Sequence, residues 1–388
     1  MTQEHQQNVP KLRFPRFEEE WTIQPIGELG RVIRGASPRP KGDKRFYGGN
    51  VPRLMVEDVT RDGKYVTPQT DFLTEAGAKL SRPCTAGTLT IVCSGTVGIP
   101  SILAVDACIH DGFLALVDLS EEIDIDFLYA SLLRLKEKFD ASATHGGVFV
   151  NLTTSILREF KATFPTLPEQ RKIAEFLGAV DTKIAQLAEK KRLLEDYKKG
   201  CMQQLFFQKI RFKDDTGNDF PDWEEKRLGD VATKTASSIS ASSLEASPGE
   251  YPVYGASGIV GNVDYFTSDD YHIGVVKDGA GVGRLYYCPP KSSVLGTLES
   301  VKASNLNVTK FIYYWMSQIN FAAYTTGSTI PHVYFKDYGK RRGRFPHPDE
   351  QRKIADFLSA LDRKIHLISQ ELAHARSFKH GLLQQMFV

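Results

Sequence analysis

Two stretches of the chain place apolar residues at alternating steps of four and three. In the first, Ile173, Leu177, Val180, Ile184, Leu187 and Leu194 form a stripe that continues through Cys201 and Leu205, with Lys191 and Lys198 interrupting it. The second runs Ile354, Leu358, Leu361, Ile365, Ile368 and Leu372, then Ala375, Leu382 and Met386, with Lys379 at one interruption. A 4-3 spacing held over about five heptads predicts a coiled-coil seam. The alternative is two amphipathic helices, each packed on its own domain, although such a face usually runs for fewer heptads.

The stretches are copies of one another. Aligned without gaps, Phe164 to Phe206 and Phe345 to Phe387 agree at roughly nineteen of about forty-three positions, which marks a duplication. Each copy opens with prolines (Pro165 and Pro168; Pro346 and Pro348), then Glu169-Gln170 or Glu350-Gln351, where a negative charge suits the start of a helix. Gly200 and Gly381 recur near the ends; they suggest close backbone approach or a bend, or else a neutral inheritance. A seam needs a partner, and the copy tethered in the same chain is the nearest one. Antiparallel pairing would give a rod of about 58 Å with one globular segment at each end. The expected architecture is α+β and pseudo-two-fold: a first strand-rich domain over 1–163, a central spacer helix over 164–207, a second domain over 208–344 and a C-terminal spacer helix over 345–388.

Both globular segments read as strand-rich and share landmarks. Each begins near a tryptophan, Trp21 or Trp223. Each holds a glycine turn between apolar runs, "LTIVCSGTVGIPSILAV" from Leu89 and "HIGVVKDGAGVGRLYYC" from His272, and ends in a glycine loop before its long helix. The GxGxG of the second turn could belong to a nucleotide or S-adenosylmethionine pocket, which would require a helix after it. The next residues are "RLYYCPP", a β-type run, so the glycines are expected to turn strand into strand. The chain has no GxxxxGK[ST], HExxH or GxSxG, and no catalytic residue, cofactor or metal is expected.

Bulk properties narrow the class further. At 388 residues the chain suits two domains, and its net charge of +2 leaves open whether basic residues gather on one face. The polar opening "MTQEHQQNVP", with no apolar run long enough to span a bilayer, predicts a cytoplasmic protein without a membrane partner. Five cysteines without a CxxC pair predict reduced thiols, mostly buried. Basic and aromatic residues recur in loops: Arg31, Arg34, Arg39, Arg45, Arg53 and Tyr47 in one Gly/Pro-rich stretch, and Lys340, Arg341, Arg342 and Arg344 in another. Such groups can track a phosphate backbone or offer arginine forks to guanine; the alternative is a solvated charge run.

These residues resemble one family, the specificity (S) subunits of Type I restriction-modification systems. The resemblance covers essentially the whole chain and rests on "FPTLPEQRKIAEFL" and "FPHPDEQRKIADFL" at the helix starts, on "QQLF" and "QQMF" at the helix ends, and on "YPVYGASGIVGNVDYF", "SGTVG" and "GAGVG". It implies a non-catalytic reader of double-stranded DNA. Two target recognition domains would each read half of a bipartite, asymmetric site, and the antiparallel helices would set the gap and dock two methyltransferase (M) subunits, with restriction (R) subunits joining. Carried over by position, the contacts would be Ser94 and Thr96, then His145 and Asn151, with Arg34, Ser37, Arg39 and Tyr47, in the first domain. In the second they would be Tyr254, Ser257, Lys277, Thr326, Ser328 and His332; Arg341 and Arg342 stand where the family generally has a short apolar run, and their expected contact with phosphate rests on their charge alone. A coiled-coil adaptor without DNA specificity is the competing reading.

Overall fold

The computed structural model describes residues 8–142, 144–146, 149–246, 248–304, 306–327 and 329–388. It divides into two compact units: one holds the chain up to Ala188 together with Gln370–Val388, the other is Glu189–Ser369. Both long helices form where the 4-3 spacing predicts them, as Leu167–Phe206 and Pro348–Gln385. Phe164 and Phe345 fall just outside, because each closes a short strand that leads into its helix.

The division runs through both helices. In the first unit the start of the central helix, with Ile173 and Leu177, shares a core with Leu382, Leu383, Met386 and Phe387 from the end of the C-terminal helix. In the second unit the exchange is reversed: Leu205 from the end of the central helix packs with Ile354, Leu358 and Leu361 from the start of the C-terminal one. Within each unit the two helical segments therefore pair start to end, which is the antiparallel arrangement. Leu187, Ile368 and Leu372 are also buried, while Val180, Ile184, Leu194 and Ile365 are half-buried. The lysines that interrupt the stripe are accommodated by charge: Lys379 reaches Asp181 at 2.5 Å in the first unit, and Lys198 reaches Asp362 at 2.5 Å in the second. These are equivalent positions of the repeat. Close backbone approach at Gly200 and Gly381 is not found, since a Cβ at either would meet nothing within 4 Å.

Each helix start is latched to its own unit by the glutamate and glutamine of the duplicated motif. Glu169 is buried and accepts two bonds from the Arg13 guanidinium, both at 2.8 Å. Gln170 accepts from the Asp124 amide at 3.0 Å and donates to the Glu122 and Pro165 carbonyls at 3.1 and 2.9 Å. In the second unit Glu350 takes Arg211 at 3.2 and 2.8 Å and the Trp223 indole at 3.1 Å. Gln351 accepts from the Val308 amide and donates to Asn307 and the Pro346 carbonyl. Their sequence position suggested a dipole role; complete burial shows that their partners come from the globular segment instead. Aromatic rings close the same junctions. Phe127 lies 5.8 Å from Trp21 and 5.2 Å from Phe387, and Phe311 lies 6.2 Å from Trp223 and 5.6 Å from Phe206. The phenylalanine that ends each copy of the repeat thus serves the unit whose own helix it does not begin.

The globular part of the first unit has a five-stranded sheet, in the order Arg31–Arg34, Phe113–Val117, Leu89–Val92, Pro100–Leu103 and Tyr65–Val66. A four-stranded sheet joins Asp71–Leu73, Tyr47–Leu54, Ala107–Ile109 and Arg82–Cys84. The second unit has a four-stranded sheet, Ala232–Ala236, Leu298–Ala303, His272–Val276 and Leu285–Cys288, and a three-stranded one, Gly258–Val263, Pro248–Gly255 and Ser293–Val294. Strands such as Leu89–Val92 and His272–Val276 are buried along their whole length, their mostly apolar residues taking Thr90 and His272 into the core with them. All five cysteines are unpaired and four are buried; burial pushes the Cys84 thiol up to about 11 and the Cys288 thiol to about 12.

Candidate nucleic-acid interface

In each unit the glycine turn and the loop before the long helix meet. Ser94 bridges to Asn151 in the first, and the Leu152 amide donates to the Cys93 carbonyl at 2.9 Å. Asp278 bridges to His332 in the second, and the Gly279 amide donates to the Pro331 carbonyl at 2.9 Å. The buried strands Leu89–Val92 and Pro100–Leu103 hold the first turn, and the buried His272–Val276 with the half-buried Leu285–Cys288 holds the second. Gly95 (φ +79) and Gly279 (φ +89) adopt left-handed backbone, and among the described residues nothing would meet a Cβ at either within 4 Å. The expectation that GxGxG turns strand into strand holds: His272–Val276 pairs antiparallel with Leu285–Cys288. Gly283 is required by packing, because at φ +83 its Cβ would lie 2.4 Å from that of Phe321.

Around the first lip, Arg34, Ser37, Arg39 and Tyr47 line one cavity of about 370 Å³ together with Ser94. Thr96 is exposed on the adjoining turn. His145 stands opposite Val150 in the hairpin Thr144–Gly146/Phe149–Asn151, with its side chain outside the described residues. The arginines of this stretch separate into distinct roles. Arg31 pairs with Asp118 and Arg45 with Asp43 on the surface. Arg53 is 6% exposed, bonded to Asp71 at 2.5 Å and stacked over Tyr47 at 5.0 Å. That assignment is a correction: Tyr47 and Arg53 lie on the strand Tyr47–Leu54 and stiffen it, where the Gly/Pro-rich sequence suggested a flexible loop.

Around the second lip, Asp278 holds His332 Nδ1 at 2.7 Å and also pairs with Lys277. Burial alone would raise the Asp278 carboxyl, but its contacts with Lys277 and His332 outweigh it and hold the group below the usual range. Thr326 is tied to His332 through reciprocal backbone bonds of 2.9 and 2.7 Å. Tyr254 and Ser257 sit on the neighbouring hairpin, whose Ala256 carbonyl accepts from Arg284 and Tyr286. Ser328 lies outside the described residues. Arg341 and Arg342 occupy a different place, at the strand that leads into the C-terminal helix: Arg342 pairs with Glu225 at 2.9 Å, and Arg341 lies over Trp315 at 6.0 Å.

Two carboxylates of the site, Asp111 and Asp278, were not singled out from sequence. No spacing signal marks them, since Asp111 meets Ser37 across 74 residues and Asp278 meets His332 across 54. Among the described residues no cluster of His, Cys, Asp or Glu could hold a metal ion, and no helix is long and apolar enough to cross a membrane.

Comparison with known proteins places this architecture. The family model "Type I restriction modification DNA specificity domain" matches residues 18–196 and again 221–375. The MjaIX specificity subunit of a Type I restriction enzyme from Methanocaldococcus jannaschii is 20% identical, over 96% of this chain and 93% of that protein. The EcoprrI specificity subunit from Escherichia coli is 19% identical, over 91% and 90%. The crystal structure of a Type I restriction-modification S subunit from M. genitalium superposes with a TM-score of 0.67 at 18% identity, covering 98% of this chain and 99% of that one. With both halves matched in turn, the chain belongs to the Type I restriction-modification DNA specificity family, as a non-catalytic specificity subunit.

Proposed function

We propose that each unit reads one half of a bipartite, asymmetric double-stranded DNA target, and that the chain recruits methyltransferase and restriction subunits to it in the cytoplasm. One observation carries this reading. Both units build the same lip, a glycine turn bridged to a pre-helix loop, yet they furnish it differently: Ser94, Thr96 and Asn151 in one, Lys277, Asp278 and His332 in the other. A common scaffold with different polar groups suits two readers of different sequence, because the major groove presents a distinct donor and acceptor pattern for each base pair. Arg34, Arg39 and Lys41 around the first cavity supply the positive charge that a phosphate backbone needs. The length of the paired helices sets the unread gap. Family membership supports the partner assignment, the methyltransferase using S-adenosylmethionine on its own fold.

Selection of bound sequences from a random duplex library tests this. The full chain, with its methyltransferase partner, should enrich two short conserved blocks separated by a fixed unread stretch. Exchanging residues 1–163 for those of another specificity subunit should change one block and leave the other. Enrichment of no sequence would favour an adaptor that organises proteins without reading DNA.

A further inference from the structure

Asp111 is an anion in a surface built to meet a polyanion. It sits at the turn between the buried strands Ala107–Ile109 and Phe113–Val117, and the turn is held rigidly. The Phe113 amide donates to the His110 carbonyl at 2.9 Å, the Gly112 amide to His110 Nδ1 at 2.9 Å and the Cys93 amide to the Gly112 carbonyl at 2.8 Å. Gly35 passes so close that a Cβ there would lie 2.0 Å from the His110 carbonyl oxygen. The carboxylate is 51% exposed and opens into the cavity beside Ser94. Its Oδ1 accepts from the Ser37 hydroxyl at 2.5 Å, while Oδ2 has Arg39 Nη2 no nearer than 3.6 Å and, among the described residues, no hydrogen-bond donor. The Ser37 bond, with His110 and Arg39 nearby, outweighs partial burial and holds the carboxyl below its ordinary range, so the group is an obligatory acceptor.

An ionised acceptor beside DNA is repelled by phosphate unless a base offers it a hydrogen. In the major groove only the amino groups of cytosine and adenine do so. Adenine N6 is flanked by the N7 acceptor, which would oppose the carboxylate; cytosine N4 is flanked by a C–H. Building on the DNA-reading function above, we propose that Asp111 is a specificity determinant of the first unit, accepting from cytosine N4 at one position of its half-site, with Ser37 as its positioning residue. Arg34 and Arg39 flank the carboxylate and offset its repulsion from the backbone.

The test is duplex selection with the full chain and its Asp111→Asn and Ser37→Ala variants. Asparagine preserves the acceptor for Ser37 but turns an N–H donor toward the cytosine amino group. Preference for cytosine at a single base pair should fall by about 5- to 150-fold, with the second block unchanged. Ser37→Ala frees the carboxylate to rotate and should weaken discrimination at that same base pair; this variant decides the matter if Asp111→Asn does not fold. An unaltered preference in the variants, or a loss equal across all sequences, would make Asp111 an anchor for the Ser37–Arg39 loop and overturn the proposal. If the wild-type chain enriches no sequence, the DNA-reading function itself fails, which is a distinct result visible before any variant is made.

Discussion

Removing Glu350 should loosen the junction between the second unit and its helix, and the cost can be worked out from its partners. The carboxylate is fully buried and takes two bonds from Arg211 and one from the Trp223 indole. Deleting one partner of a buried ion pair costs about 3–5 kcal/mol. Arg211 still donates to the Phe220 and Pro221 carbonyls, at 3.2 and 2.7 Å, which argues for the lower end, about 3 kcal/mol. Trp223 Nε1 loses its acceptor in a buried site, adding about 1 kcal/mol. The repeat supplies an internal control. Glu169 holds Arg13 in the same bidentate way, but among the described residues the Trp21 indole nitrogen has no partner, so Glu169→Ala should cost about 1 kcal/mol less than Glu350→Ala. Urea unfolding of the full chain, followed by tryptophan fluorescence, measures both. With a slope of about 2 kcal/mol per molar, Glu350→Ala moves its midpoint down by about 2 M and Glu169→Ala by about 1.5 M. Glu350→Gln, which keeps one acceptor, should fall between wild type and alanine. A cost for Glu350→Ala below about 1 kcal/mol, or one smaller than that of Glu169→Ala, would refute the latch.

Two further predictions concern charges inside the second unit and along the helices. Glu299 is buried against the Tyr338 hydroxyl, and burial raises its carboxyl above the ordinary 4.5. The folded state therefore holds this proton more tightly than the unfolded one. Its contribution to stability is full below pH 4.5 and is lost as pH rises through the raised value. Glu299→Gln should flatten that part of the pH dependence and stabilise the protein at pH 7, as denaturation at several pH values will show; a destabilised variant at pH 7 would count against it. The Lys198–Asp362 and Lys379–Asp181 pairs occupy equivalent repeat positions and are each partly shielded from solvent. Double-mutant cycles to alanine should give coupling of about 1 kcal/mol at each, and a zero coupling at either would show that pair to be incidental.

Much of the architecture is legible in local spacing. The 4-3 stripe and the proline entries locate both helices to within three residues at each end, because helix formation is governed by neighbours three and four positions away. The duplication points to the two copies as each other's partner, and within each unit a start packs against an end, the antiparallel arrangement that was expected. The glycine turns are legible for the same reason, since positive φ leaves a mark on residue choice. The candidate interface was readable only in part. Ser94, Asn151, Asp278 and His332 lie on segments visible as turns and loops, yet nothing local says that the turn of each unit closes onto the loop before its helix.

Periodicity, duplication and family are written along the chain: two long helices, two strand-rich segments with glycine turns, and a match that spans both halves. Partnership, by contrast, comes from the way the chain packs on itself. Glu169 and Glu350 resemble exposed first-turn acids, but Arg13 and Arg211 come from 156 and 139 residues away to bury them. Arg53 lies in a basic stretch, but Asp71 removes it from the surface. Asp111 is one acid among many until Ser37 fixes one of its oxygens and the cavity leaves the other open. Long-range packing sets which charges are neutralised and which are presented, and no short-range pattern along the chain encodes that pairing.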